Sequence, residues 1–406
     1  MKILHLSYYD NFGGASKASL RIFKSQKLAG INSKMLVFSK NLRDKNIFSF
    51  KNKIQIKLNN ILVRLIYFFF FKNSKMPLSM NLFNSGMVNF INKSKYDIIN
   101  FHWINHEMLS LKEISKIQKP IIWTIHDQWP FASIEHYISE NDNRYRVGYN
   151  NKNSTFIERK IWRIKKEIFE KKINFIISPS RWIAKSSKQS LIFKNKKHFI
   201  IPYPILRENY KFQKKYVAIK KTSLKNLKEK FIITYGASSS ISDDRKGFKY
   251  VLKVIEKYKN LNNDIFFIIF GECSEKLKKY NNVINYGHIK SNKILANIYS
   301  SSDIFLAPSL NDNLPLSIME SISCGTPVVA FSSGGIKDLI WHKKNGYLAK
   351  KGSLEDLVKG INYFKKLDLK KKYNYLEKMK YKKFMKIYSP QVIAKKYESV
   401  YKELIK

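Results

Sequence analysis

The stretch of sequence that decides the fold is residues 303–335, which read DIFLAPSLNDNLPLSIMESISCGTPVVAFSSGG. It contains a short apolar strand, a polar loop, a helix and a second apolar strand that ends in two glycines. This order places the start of a helix beside the carboxyl edge of a parallel sheet, where anions and polar ligands bind. Asp312 in the loop and Glu320 on the helix are eight positions apart. Both carboxylates can therefore face a ligand that lies across the helix start.

Alternation of apolar strands and amphipathic helices extends over the whole chain of 406 residues. This pattern predicts an α/β protein with two Rossmann-like, doubly wound domains that face a central cleft. Pro202-Tyr-Pro204 ends the first series of strands, so we place the domains at 1–204 and 205–388. Residues 389–406 read as one amphipathic helix, which we expect to pack back toward the N-terminal domain.

The chain is strongly basic, with 76 Lys and Arg against 30 Asp and Glu and a formal net charge of +46. One interpretation is a lysine-rich composition with solvated surface charge, and the other is contact with an anionic membrane leaflet or a lipid phosphate. The basic residues are spread along the chain and no nucleic-acid module is recognisable, so we expect no nucleic-acid partner. The two cysteines, Cys273 and Cys324, are too few for a disulfide framework and fit a cytoplasmic protein.

The N-terminal residues run straight into a predicted strand, which argues against a signal peptide. The apolar run at 61–71 is about half of the ~20 residues that a spanning helix requires. With Lys57, Arg64, Lys72 and Lys75 around it, the run can lie in a membrane interface. We interpret it instead as a helix packed under its own domain. The basic charge leads us to expect a cytoplasmic protein that makes peripheral contact with an anionic membrane, on the inner face of the cell membrane.

Two loops carry groups suited to a phosphorylated ligand. Gly13 and Gly14 follow the first predicted strand, where the backbone can approach a ligand closely, although such a pair also makes ordinary tight turns. Arg245 and Lys246 precede Gly247 at a predicted helix start. Charged donors and backbone amides can converge there on a diphosphate, and the alternative is an ordinary basic loop.

Two histidines end neighbouring predicted strands. The strands are predicted over Ile98–His102 and Ile121–His126. An imidazole at the edge of a cleft can donate to a substrate oxygen or polarise it. We therefore consider His126 a candidate catalytic residue with His102 as its neighbour, against the alternative that both are structural.

The strings IFLAPSLNDNLPLSIMESISCGTPVVAF, DDRKGF, GGIKDLI and NGYLA together resemble the nucleotide-sugar domain of the retaining glycosyltransferases of family 4, which have the GT-B fold. In the first half, DIINFHWIN and KPIIWTIHDQWPF resemble the WcaC-type branch of that family, which makes colanic acid and other exopolysaccharides. The resemblance covers nearly the whole chain. It implies an acceptor-binding domain over 1–204 and a nucleotide-sugar-binding domain over 205–388.

The resemblance also implies roles for single residues. The catalytic residues would be His126 beside the transferred sugar, Asp312 at the sugar hydroxyls and Lys246 at the diphosphate. The donor would further be held by Gly14, Arg245, the main chain near Ile289, Leu316 and Ser317 at the helix start, and Glu320 at the ribose. The usual first acid of the family is Glu, so Asp312 is a departure that bears on the choice of sugar. The second cation that often follows the first strand of this domain is missing, because the strand ends in Tyr235-Gly-Ala237.

The implied activity is metal-independent, retaining transfer of a hexose from a UDP- or GDP-sugar to a glycan or polyprenyl-linked oligosaccharide in cell-surface polysaccharide biosynthesis. No metal and no cofactor beyond the donor are expected, and residues 131–160 lack the cysteine pairs of some relatives. The segment 40–95 and the loop 128–160 are expected to shape the acceptor. Two alternatives stay open: a GT-B sugar-nucleotide epimerase, which needs no acceptor, and an inactive GT-B protein that binds membranes or polyanions.

Overall fold

A computed structural model describes residues 1–50, 53–72, 77–150, 152–237, 243–259, 264–272, 274–367 and 380–406. Cys273 and Lys75 lie outside these ranges. The chain divides into two compact units, of which the first combines Met1–Pro204 with Pro390–Lys406 and the second is Ile205–Ser389.

The first unit contains a parallel sheet of seven strands in the order β3-β2-β1-β4-β5-β6-β7. Its strands are β1 (Lys2–Tyr9), β2 (Asn32–Ser39), β3 (Ile47–Ser49), β4 (Ile98–Phe101), β5 (Ile121–Thr124), β6 (Ile173–Ser178) and β7 (Lys197–Ile200). The residues of β4 and β5 are all buried, as expected for a parallel sheet covered on both faces. These two strands end before His102 and His126, so both histidines follow the strands in which they were predicted.

The helices of this part of the chain are α1 (Gly13–Leu28), α2 (Lys53–Phe70), α3 (Met87–Lys93), α4 (Leu111–Ser115), α5 (Arg144–Val147), α6 (Phe156–Lys172) and α7 (Arg181–Gln189). Helix α6 begins at a capping box in which the Thr155 hydroxyl accepts from the Glu158 backbone N–H and the Glu158 carboxylate accepts from the Thr155 N–H. Helix α4 begins in the same way at Ser110 and Glu113. Both boxes satisfy N–H groups that a helix start leaves without partners.

The second unit contains a parallel sheet of six strands in the order β10-β9-β8-β11-β12-β13. Its strands are β8 (Phe231–Ala237), β9 (Ile265–Gly271), β10 (Val283–Gly287), β11 (Ile304–Ala307), β12 (Val328–Phe331) and β13 (Gly346–Ala349). Its helices are α8 (Lys215–Lys220), α9 (Phe248–Tyr258), α10 (Asn292–Ser301), α11 (Leu316–Ser323), α12 (Ile336–Leu339), α13 (Leu354–Lys365) and α14 (Lys380–Ile387). The strand, helix and strand predicted within 303–335 are β11, α11 and β12.

The last helix, α15 (Pro390–Ile405), belongs to the first unit. The hydroxyl of Tyr401 accepts hydrogen bonds of 2.9 Å from the side-chain amides of Gln26 and Asn100. The hydroxyls of Tyr397 and Thr124 are 3.3 Å apart. All of these groups are buried, so the helix supplies partners that the polar interior of the first unit requires.

Our interpretation of the apolar run at 61–71 as a helix packed under its own domain is confirmed for one face of α2 only, because Ile66, Tyr67 and Phe71 pack against the core of the first unit while the other face is exposed. One face of α2 is buried through Ile56, Asn59 and Val63. Eight large apolar side chains of the same helix are between 47% and 74% exposed: Ile54, Leu58, Ile61, Leu62, Leu65, Phe68, Phe69 and Phe70. The helix has more apolar residues than one packing face can bury. Among the described residues, no helix is both long and apolar enough to cross a membrane.

Candidate active site

A pocket opens in the second unit where strands β8 and β11 lie side by side. From β8 the sheet continues through β9 to β10 on one side, and from β11 it continues through β12 to β13 on the other. The strand order therefore reverses between β8 and β11, and such a switch point is where parallel sheets bind ligands. The lining residues are Tyr235, Gly236, Lys246, Phe305, Leu306, Ala307, Ser309, Asp312, Pro315 and Ser317. Three residues singled out in the sequence, Lys246, Asp312 and Ser317, are therefore brought to one place.

Lys246 and Asp312 contact each other directly. The Lys246 ammonium lies 2.6 Å from Oδ2 of Asp312, and Asp312 is only 8% exposed. The sequence assigned these residues to different parts of a donor, the diphosphate and the sugar. A diphosphate that binds Lys246 would therefore share the ammonium group with the Asp312 carboxylate.

Glycines fix the backbone that carries this pair. Gly247 has φ +74°, and a Cβ there would lie 1.9 Å from the carbonyl oxygen of Pro308. Gly334 has φ +50°, and a Cβ there would lie 2.1 Å from the carbonyl oxygen of Asp312. The same Asp312 oxygen accepts a hydrogen bond of 2.9 Å from the Gly335 N–H. Three loops thus meet at distances that only glycine allows.

Replacing Gly247 with alanine is expected to lower the free energy of unfolding by at least about 2 kcal/mol, because a left-handed backbone and a backbone clash act together. A urea titration measures this. Gly14→Ala is the matched control, since Gly14 lies in the first turn of α1 and a Cβ there meets no atom within 4 Å. Equal stability of the two variants would contradict the structural role of Gly247.

The other predicted donor-binding residues of this unit are not among the described lining residues and lie in different settings. Arg245 directs its guanidinium to Asp243, with 2.5 Å between Nη2 and Oδ2. Leu316 is the first residue of α11, and Ile289 follows β10 and is half-buried. Arg245 and Ile289 are absent from the described lining, so their roles at a donor stay predictions.

Glu320 lies on α11, is buried, and accepts a hydrogen bond of 3.2 Å from the hydroxyl of Tyr299. Burial and the Glu320 charge raise the pKa of Tyr299 well above its usual value. The hydroxyl therefore stays protonated and donates to the carboxylate. This contact was not predicted, although a tyrosine inside an apolar helix usually has a polar partner.

Tyr235 is a pocket residue that sequence reasoning missed. Its side chain is 3% exposed, and within the described ranges its hydroxyl has no hydrogen-bond partner. Burial, followed by the charges of Asp243 and Glu272, raises the pKa of Tyr235. The hydroxyl of Tyr235 thus stays protonated and keeps a hydrogen that it can donate. Its position at the end of the first strand of this domain, where the family often has a cation, is the signal that could have found it.

In the first unit, His126 ends a row of three buried imidazoles. Nε2 of His126 is 2.9 Å from Nδ1 of His102, and Nε2 of His102 is 2.9 Å from Nδ1 of His5. The hydroxyl of Tyr203 is 2.7 Å from Nδ1 of His126, and Oε1 of Gln26 is 2.9 Å from Nε2 of His5. The predicted proximity of His102 and His126 is confirmed, whereas His5 was not singled out from the sequence.

The direction of hydrogen bonding along this row is set by Gln26, which lies at the His5 end. Gln26 donates from its amide nitrogen to Tyr401, so its oxygen accepts from His5. Each imidazole then donates from Nε2 and accepts at Nδ1, and the Tyr203 hydroxyl donates to His126. Burial lowers the pKa of His5 and of His126 to about 4 and that of His102 well below its usual value. Both ring nitrogens of His126 are engaged, so it must exchange a partner before its ring can contact a substrate.

The loop that follows His126 is held by ion pairs and by a buried lysine. Arg144 is 2.8 Å from Asp142 and 2.9 Å from Glu158. The ammonium group of Lys165 is fully buried and donates to three backbone carbonyl oxygens of the loop. These contacts link α5 and α6 to the loop. Across the described ranges no three metal-ligating side chains are grouped, and the expectation of metal-independent chemistry stays a prediction.

Solved structures resemble this chain over almost its whole length. HepE of Anabaena, solved in complex with UDP and glucose, has a TM-score of 0.67 at 15% sequence identity, and the match covers 99% of each chain. WaaG, a glycosyltransferase involved in lipopolysaccharide biosynthesis, has a TM-score of 0.65 at 13% identity, and the match covers 98% of this chain and 99% of WaaG. The fold is GT-B. The predicted GT-B class, with two parallel-sheet, Rossmann-like domains, is thereby confirmed.

Sequence comparison adds a match to a family model within the second unit of this GT-B protein. Residues 217–383 match the family model described as Glycosyl transferases group 1. An uncharacterized glycosyltransferase of Haemophilus influenzae is 34% identical over 151 residues, which is 35% of this chain and 41% of that protein. The chain spans less than half the length of the curated relatives that it matches. Membership of family 4 and of its WcaC-type branch stays a prediction.

Proposed function

We propose that this GT-B protein is a retaining hexosyltransferase that moves a sugar from a nucleotide diphosphate-sugar to a glycan or polyprenyl-linked oligosaccharide in cell-surface polysaccharide biosynthesis. The observation that carries the proposal is that Lys246, Asp312 and Ser317, in the first turn of α11, line one pocket at the switch point of the second sheet. A cation, an acid and a helix start at such an edge suit a phosphorylated sugar. The match to group 1 glycosyl transferases supports the same reaction class.

In this mechanism the bond between the sugar C1 and the diphosphate oxygen breaks, and its electron pair leaves with the nucleoside diphosphate. The acceptor hydroxyl attacks C1 from the face that the diphosphate leaves, so the configuration at C1 is retained. The hydroxyl proton is transferred to an oxygen of the departing diphosphate. The Lys246 ammonium and the N–H groups at Leu316 and Ser317 stabilise the charge that develops on the leaving group. We propose that these groups make a metal ion unnecessary.

Asp312 and Glu320 would divide the recognition of the donor between the sugar hydroxyls and the ribose. HepE was solved with UDP and glucose, and we extend binding of a nucleotide-sugar to this chain on the basis of its pocket. The roles of Gly14 and His126 of the first unit stay predictions from the resemblance, which implies a UDP- or a GDP-sugar without distinguishing them.

Screening UDP- and GDP-sugars for thermal stabilisation, followed by product analysis, tests the proposal. A donor present at 100 times its Kd is expected to add about 2.7 kcal/mol to the free energy of unfolding. Slow hydrolysis of that donor without an acceptor is expected of a transferase, whereas a changed sugar still attached to the nucleotide would identify an epimerase. A chain that no nucleotide sugar stabilises would contradict the proposal.

The pocket also gives a prediction for Tyr235. Tyr235→Phe is expected to weaken donor binding about tenfold, because it removes a hydroxyl that can donate to a phosphate oxygen. The free energy of unfolding is expected not to fall, since that hydroxyl has no described partner. Calorimetric titration of the donor and urea unfolding measure the two quantities.

Tyr258→Phe is the matched control for this prediction. The Tyr258 hydroxyl donates to Oδ1 of Asn362 at 2.9 Å, so its loss is expected to cost about 1 kcal/mol of stability and to leave donor affinity unchanged. If Tyr235→Phe loses stability in the same way and keeps its donor affinity, the Tyr235 hydroxyl has a structural partner and no role at the donor.

A further inference from the structure

The exposed apolar face of α2 is the most concentrated apolar surface in the part of the chain that the structure describes. Of the nineteen exposed large apolar side chains in the described ranges, eight lie on this helix. Seven of them recur at helical spacing along one side: Ile54, Leu58, Ile61, Leu62, Leu65, Phe68 and Phe69. Soluble proteins rarely leave such a continuous patch uncovered, and a patch of this kind marks an interaction site.

This face lies opposite the one that α2 uses for packing. The buried residues Ile56, Asn59 and Val63 fall on the other side of the helix from Leu58 and Leu65 at 100° per residue. The packing of α2 on its own unit therefore does not compete with an occupant of the exposed face. An occupant can bind without rearrangement of the helix.

The charge of the surrounding sequence indicates what the occupant is. Residues 45–96 contain nine Lys and Arg and no Asp or Glu. Exposed cations adjoin the apolar face at Lys57, Arg64 and Lys72, and the Lys72 ammonium lies 5.6 Å from the centre of the Phe68 ring. A second copy of this chain would bring the same positive charges to the contact. An anionic lipid surface offers both an apolar interior and the opposite charge.

We propose that the exposed apolar face of α2 docks onto an anionic lipid bilayer, with the helix lying in the plane of the membrane interface. The apolar side chains enter the boundary between head groups and acyl chains, while Lys57, Arg64 and Lys72 contact lipid phosphates. The helix is 18 residues long, or about 27 Å at 1.5 Å per residue. The inference goes beyond the proposed function and stands on α2 alone.

Sedimentation of the full chain with vesicles tests the proposal. The wild-type chain is expected to bind vesicles of phosphatidylcholine with phosphatidylglycerol more tightly than vesicles of phosphatidylcholine alone. Leu58→Glu with Leu65→Glu is expected to lower binding to the anionic vesicles at least tenfold. Phe156→Glu with Ile294→Glu is the matched control, because it makes the same change of charge at exposed apolar positions outside α2. This control is expected to stay within about twofold of wild type.

A second variant isolates the cations. Lys57→Gln with Arg64→Gln is expected to reduce the preference for anionic vesicles and the salt dependence of binding, with no change in melting temperature. Unchanged vesicle binding by the Leu58→Glu, Leu65→Glu variant would overturn the proposal. So would a wild-type dimer that this variant converts to a monomer without any change in lipid binding, because the face would then serve a second copy of the chain.

Discussion

Replacing Lys246 with alanine is expected to lower kcat by about 10²–10³, the usual loss when one charge-stabilising donor is removed from a transition state. The ammonium group lines the pocket at the switch point of the second sheet, where it would meet the departing diphosphate. The measurement is the turnover of the donor that the nucleotide-sugar screen identifies. Lys249→Ala is the matched control, since Lys249 is an exposed lysine of α9 that is not among the described lining residues. It is expected to keep near-normal kcat.

The contact between Lys246 and Asp312 requires a further variant. Loss of Lys246 takes an ion partner from a carboxylate that is only 8% exposed, which is expected to cost about 1–3 kcal/mol of stability. Adding Asp312→Asn removes that charge and is expected to recover most of the stability but none of the kcat. If turnover returns with stability, Lys246 is a structural partner of Asp312 and the phosphate assignment is wrong.

Acidification from pH 6.5 toward pH 4 is expected to unfold the first unit. Burial lowers the pKa values of His5, of His126 and of His106, which lies in the loop between β4 and α4, to about 4, and it also lowers that of His102. Because the unfolded chain binds protons below a pKa of about 6.5 and the folded chain does not, stability is present above that pH and is lost as pH falls. Each of the three histidines with a pKa of about 4 contributes about 3 kcal/mol to this loss.

Glu107 acts in the opposite direction. Burial raises its pKa to about 7, so the folded chain binds one proton more than the unfolded chain between about pH 4.5 and 7, and this group stabilises the fold as pH falls. These four histidines and Glu107 together take up about three protons on unfolding near pH 5, or about 4 kcal/mol per pH unit.

Urea unfolding across this pH range measures how steeply the free energy of unfolding changes with pH. His5→Gln is expected to make it shallower by about 1.4 kcal/mol per pH unit, and Glu107→Gln is expected to make it steeper by up to the same amount. A first unit whose stability does not change between pH 6.5 and 4 would show that the imidazole row is not neutral in the folded chain.

The fold class was predictable because every central strand is a short apolar run between helices, which is the pattern of a buried parallel sheet. Strand β3 was not predicted, since three residues at Ile47–Ser49 carry too little periodicity. The exposure of α2 was not predicted either. An amphipathic pattern identifies an apolar face, but Leu58 and Ile56 are equally apolar, and only the tertiary structure decides which of them is buried.

The site was predictable in its location rather than in its contacts. The segment at 303–335 and Lys246 indicated the carboxyl edge of the second sheet, and the structure brings Lys246 and Asp312 together there. That they form an ion pair depends on loops 66 positions apart in sequence and on the close contacts of Gly247 and Gly334. His5 was missed because a histidine within an apolar strand carries no local signal. Its partner His102 follows β4, the strand that pairs with β1, but the two histidines are 97 positions apart in sequence.

The return of α15 to the first unit has a consequence for the order in which the chain folds during its synthesis. Gln26, Asn100 and Thr124 leave the ribosome long before Tyr397 and Tyr401, their partners on α15. At about 5–20 residues per second, the 273 to 375 positions that separate these partners correspond to about 14–75 s of translation. The second unit is continuous in sequence and can close during that interval, whereas the nascent first unit waits with unpaired polar groups in its interior and is exposed to chaperones and proteases until the last helix emerges.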